Sequence, residues 1–104
     1  MMRQREYKII ARFYKGGPAR FISHLDFVRF IYRAMRRADL PFAATEGFSP
    51  RPKVSFGQAL KVGSEGEVEV GFVLREQMPL AEFQQRVTAQ LGEDIRMMDA
   101  GYGQ

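Results

Sequence analysis

The segment Arg20-Phe21-Ile22-Ser23-His24-Leu25-Asp26 places a hydroxyl, the chain's single histidine and a carboxylate within a few residues. Those are the residue types of a hydrolytic triad, but their spacing does not build one. Ser23 reads as a helix N-cap, with Asp26 three residues on as a short capping box. At about 100° per helical residue, His24 and Asp26 then point roughly 200° apart. A nucleophile needs its base within hydrogen-bond reach and that base oriented by a third group. His24 is left as a lone acid/base, as in metal-independent RNA cleavage, because imidazole titrates near neutrality. The stronger reading makes it a first-turn residue bonded to a neighbouring loop or strand. Asp26 complements the helix dipole and can pair with Arg29.

The second chemistry is anion binding. Arg29, Arg33, Arg36 and Arg37 recur at helical spacing, with no acid on the stripe after Asp26. A helix face built only for solubility usually mixes signs. Arginine meets phosphate with a fixed fork of donors and stacks on bases. Arg20, Arg51 and Lys53, on flanking loops, could extend this surface. Gly47-Phe48-Ser49-Pro50-Arg51-Pro52-Lys53 is a loop stiffened by two prolines. It could hold a phosphate and stack a base on Phe48, or Phe48 could plug the core. It is neither a Walker loop nor a dinucleotide fingerprint, and the aromatic-plus-basic strand motif of common RNA-recognition modules is missing.

Other chemistries are excluded or unsupported. The chain has no cysteine and one histidine, which removes disulfides, thiol catalysis and multi-His or Cys metal sites. Glu65, Glu67 and Glu69 read as a solvated strand face rather than a metal site. Met35, Met78, Met97 and Met98 read as core filling. No cofactor is expected.

The elements that must position these residues follow from periodicity. Residues 7–14 are β-branched and aromatic and read as a strand, stopped by the turn chemistry of Gly16-Gly17-Pro18. A helix is expected from His24 to Ala38, with Leu25, Val28, Ile31, Tyr32 and Met35 on its apolar face and Phe27, Phe30 and Ala34 widening the arc. Leu40-Pro41 ends it. Lys53–Leu60 and Glu67–Leu74 read as a hairpin of strands, Val54 and Phe56 sharing one side. Pro79 opens a second helix with the stripe Leu80, Phe83, Val87, Leu91 and a stop at Gly92. Ile95–Met98 is a last strand, and Gly101-Tyr102-Gly103-Gln104 is expected to fray. The order is βαββαβ. It predicts an α+β, ferredoxin-like split βαβ fold, with two helices on one face of a four-stranded antiparallel sheet.

With 104 residues, the chain is one domain's worth, and 45% apolar and 27% charged residues are ordinary globular composition. The net charge of +4 hides an asymmetry. Residues 1–61 hold 13 Lys/Arg against 4 Asp/Glu, a balance of +9, and residues 62–104 hold 3 against 8, a balance of −5. Such polarity can steer a polyanion to one face, or dock a partner of opposite charge. No apolar run approaches the ~20 residues of a membrane span, and the Met1–Glu6 segment lacks a signal core. A soluble cytoplasmic protein is expected.

Lys15-Gly16, Arg20 to Asp26, Arg33-Ala34-Met35-Arg36-Arg37-Ala38, Leu40-Pro41, Gly47 to Lys53 and Val62-Gly63, in that order, resemble the radical SAM-linked protein family, or DUF2344 domain. The resemblance covers residues 7–75, and the combination of segments is specific. It implies an accessory protein encoded beside, or fused to, a radical SAM enzyme, and it carries no catalytic residue to transfer. The domain has no iron–sulfur motif of its own, in keeping with the absence of cysteine. Family members run longer, so a truncated or naturally short form is expected.

Three functions remain from different classes. The first is a non-catalytic module presenting RNA to a radical SAM partner through Arg20, Arg29, Arg33, Arg36, Arg37, Arg51 and Lys53, with Phe48 stacking a base. The second is a docking subunit of that enzyme that binds no nucleic acid. The third is an RNA-processing enzyme using His24.

Overall fold

A computed structural model describes residues 5–93 and 95–103. The elements are β1 (Tyr7–Lys15), a 3₁₀ helix (Gly17–Phe21), α1 (His24–Ala38), β2 (Val54–Phe56), β3 (Gly66–Leu74), α2 (Leu80–Thr88) and β4 (Ile95–Tyr102). The strands form one antiparallel sheet in the order β2-β3-β1-β4. This is the split βαβ arrangement, an α+β fold with both helices packed on one sheet face.

The core lies between that face and the helices. β1 sends in Ile9, Ala11 and Phe13, and β3 sends in Val68, Val70, Phe72 and Leu74. Phe27, Ile31, Ala34, Met35 and Ala38 of α1 and Phe83 and Val87 of α2 meet them. Edge-on aromatic contacts knit the core: between ring centroids, Phe13 lies 6.5 Å from Phe27 across the layers and 6.1 Å from Phe72 within the sheet. Such pairs are worth about 0.5–1.5 kcal/mol beyond their buried area.

Helix α1 has the expected bounds and a different phase. Ser23 caps it, its hydroxyl accepting the Asp26 N–H at 3.1 Å. The buried face is the Phe27/Ala34 side, whereas Leu25 is 57% exposed and Val28 and Tyr32 are half-buried. The apolar arc spans most of the helix, and contact of Phe27 with Phe13 selects its centre.

Four other expectations are corrected. Gly16-Gly17-Pro18 is no plain turn: Gly17 takes φ +55°, and Pro18 lies in the first turn of the 3₁₀ helix. β2 is only three residues long, because the chain leaves the sheet after the Gly57 N–H bonds to the Glu69 carbonyl at 2.7 Å. α2 closes at Thr88, although turn bonds from Gln90 and Leu91 continue up to the residue before Gly92. β4 does not fray at Gly101. It pairs with β1 through Tyr102↔Ile9, and the Gly103 N–H bonds to the Lys8 carbonyl. Gln104 lies outside the described residues.

A bulge at Met98 lets Met97 pair with Phe13 and Asp99 with Arg12. The extra residue keeps Met97 on the core side and turns Asp99 to the open sheet face. There Arg12 makes ion pairs with Asp99 and with Glu67, the latter at 3.3 Å. Among the described residues, no helix is long and apolar enough to cross a membrane.

Candidate anion-binding concavity

The outer face of α1 carries Arg29, Arg33 and Arg36, because three- and four-residue steps keep them on one side of the helix. The segment from Leu40 to Lys53 folds back beside them. Thr45 N–H bonds to the Arg51 carbonyl at 2.8 Å, the Arg51 N–H bonds to the Thr45 hydroxyl at 3.0 Å, and Ala44 bridges to Pro52. This closed base holds Arg51 against α1. The four arginines thereby line one open concavity of about 650 Å³, with Phe30 and Tyr32 among its walls. Asp26 is the carboxylate in it, 3.6 Å from Arg29. Among the described residues, Arg33, Arg36 and Arg51 join no ion pair.

The remaining predicted residues sit elsewhere. Arg37 is exposed on α1 but does not line the concavity. Arg20 stacks its guanidinium 4.4 Å from the Phe21 ring and lies 3.7 Å from Glu65. It fastens the 3₁₀ helix to the start of β3. Glu65 is more than a solvated acid: it also accepts bonds from the Tyr14 hydroxyl at 2.9 Å and the Gly17 N–H at 3.3 Å. Those bonds hold its carboxyl below the usual range, the Tyr14 contribution first. Lys53 pairs with Glu6 at 2.6 Å. Phe48 does not plug the core; it projects fully exposed from the tip of the closed loop.

His24 is held by rings. It stacks on Phe27 at 6.3 Å and meets Phe56 edge-on at 6.0 Å. The Ser23 hydroxyl is engaged as the cap and the Asp26 carboxylate lies beside Arg29, so neither orients the imidazole. Among the described residues, no three His, Cys, Asp or Glu side chains gather as a metal site.

A family model described as an uncharacterized protein conserved in bacteria, DUF2344, matches residues 8–102. The chain belongs to the DUF2344 family. Neither the curated proteins nor the solved structures give a match. In this DUF2344 domain Tyr32, expected on the apolar face, is instead a wall of the concavity. The signal was present: Tyr32 stands three residues after Arg29 and four before Arg36, the spacings that bring side chains together on a helix.

Proposed function

We propose that this domain is a non-catalytic accessory module that holds an RNA segment in the arginine concavity and presents it to a radical SAM partner enzyme. The observation that carries the reading is the convergence of Arg29, Arg33, Arg36 and Arg51, from two separate elements, on one concavity with a single paired carboxylate. Guanidinium forks match phosphate oxygens, and like charges crowded on one face gain when an anion enters. Tyr32 and Phe30 in the same walls and Phe48 on the neighbouring loop offer rings to bases, which is what distinguishes RNA from a simple anion. The radical SAM partner rests on the family resemblance.

Fluorescence anisotropy across a salt series tests this. Four phosphate contacts on a single strand give a slope of about −2.8 in log affinity against log salt. Arg33→Glu/Arg36→Glu is expected to shrink that slope by about half and to weaken binding roughly tenfold or more, since charge-assisted hydrogen bonds are worth about 1.5–3 kcal/mol each. Affinity unchanged by the double reversal removes the reading.

A second reading, a docking subunit without nucleic-acid binding, is favoured by exposed Phe21, Leu25 and Val62 at the start of α1 and the neighbouring turn. Co-purification with the radical SAM protein that survives nuclease and Arg33→Glu/Arg36→Glu supports it. The His24 enzyme is the remaining alternative, and a product profile unaltered in His24→Ala removes it.

A further inference from the structure

The arginine concavity does not end at α1. Tyr32 and Arg51 also line a second depression, of about 290 Å³, which contains Lys53, Ser55 and Lys8. Lys8 and Ser55 in turn line a third, of about 210 Å³, floored by Gly71 on the opposite face of the sheet. Neighbouring depressions share lining residues, so the three form a succession. It starts on the helix side, turns round the β2 edge and arrives on the open sheet face. β2 is the edge strand of the sheet.

The floor suits an extended chain. Ser55 pairs with Gly71 across the β2–β3 ladder, and a Cβ at Gly71 would stand 2.7 Å from the Ser55 hydroxyl and 3.3 Å from the Lys8 side chain. A Cβ at Gly103 would meet the Lys8 stem at 2.9 Å. The two glycines leave room for the Lys8 stem to lie flat across the sheet. Cations therefore recur along the track as Arg33 and Arg36, then Arg51, then Lys8. Lys53 stands on it too, paired with Glu6. Glu69 lines the far end.

We infer that the occupant is a single-stranded RNA long enough to pass from the arginine concavity round the β2 edge to Lys8, and not a duplex. This rests on the RNA-binding reading above and adds strandedness and a path to it. A double helix, with a persistence length of about 50 nm in DNA, cannot turn round one strand edge of a molecule whose extents are 47 × 31 × 24 Å. A flexible strand follows such a turn and places bases on both sides of it.

The test compares three labelled probes by anisotropy: a uridine dinucleotide, an oligouridylate of about 12 nucleotides, inside the ~4–16 nucleotide range of single-strand grooves, and an RNA duplex of the same length. Lys8→Glu and, independently, Ser55→Glu place an acid on the far limb of the track, and circular dichroism confirms that each variant is folded. The expected result is that both variants weaken the long strand several-fold and leave the dinucleotide unchanged. The duplex binds more weakly than the long strand and ignores both changes. A long strand insensitive to both variants, or a duplex bound equally well, overturns the track while Arg33→Glu/Arg36→Glu still reports on the concavity. Binding of no probe, or binding indifferent to those arginines, removes the track and the underlying reading together.

Discussion

Lys15 is the buried charged side chain among the described residues. It follows Ile9, Ala11 and Phe13 on the inward side of β1 and is 1% exposed, its ammonium donating to the Ile22 carbonyl just before the α1 cap. Burial lowers its pKa from the ordinary 10.5. Between the lowered folded value and 10.5, the unfolded chain holds a proton that the folded chain gives up, so this group makes stability rise with pH. Lys15→Met keeps the apolar stem and is expected to remove that rise in urea titrations run up to about pH 10.5. Tyr14, kept protonated chiefly by its bond to Glu65, acts in the opposite sense in both proteins and cancels in the difference. Equal slopes in the two proteins would contradict the assignment. Asp99 is the acidic counterpart: its bond to Arg12 holds its carboxyl low. The resulting stability is present above the ordinary carboxylate range and is lost as pH falls through the folded value. Asp99→Asn should therefore be less stable than the parent at neutral pH, and the two should converge in acid.

At the scale of elements, α1 separates what periodicity reveals from what packing decides. Its ends are local events: a side-chain cap at Ser23, and Asp39 in the left-handed region at φ +53° before Leu40-Pro41. Both are written in neighbouring residues, and the bounds were legible. Its phase was not, because apolar residues at 25, 27, 28, 30, 31 and 32 leave no single stripe for a wheel to choose. The sheet chooses, by placing Phe13 under Phe27. The consequence is measurable by denaturation. Phe27→Ala should cost about 3–5 kcal/mol, Leu25→Ala within about 0.5 kcal/mol of nothing, and Ser23→Ala about 1 kcal/mol. The reverse ranking of Phe27 and Leu25 would restore the other phase. β4 failed to read as a strand past Met98 for a similar reason: glycine favours no strand, yet Gly101 pairs with Ile10 and Gly103 bonds to Lys8. Of the candidate site, Arg29, Arg33 and Arg36 were visible as one helical stripe. Arg51 joins them only through the closed loop, and Lys8 joins only through the sheet edge, neither of which local spacing encodes.

In the whole molecule the sequence's charge asymmetry becomes a basic α1 surface and a mixed open sheet face. The basic half supplies α1 and the closed loop, whereas the acidic half supplies Glu67, Glu69 and Asp99 on the open sheet face, where Arg12 compensates two of them. Under the proposed function a polyanion meets the arginines of the concavity first, because the acids of the open face are interleaved with Lys8, Arg12 and Arg96. The most direct measurement is an NMR titration of the side-chain Nε–Hε signals of the arginines, assigned by single substitution, with the ~12-nucleotide oligouridylate. Arg29, Arg33, Arg36 and Arg51 are expected to shift together and saturate at one concentration, while Arg12 and Arg86 stay in place. Shifts spread evenly over all arginines, or confined to those outside the concavity, would contradict the proposed function.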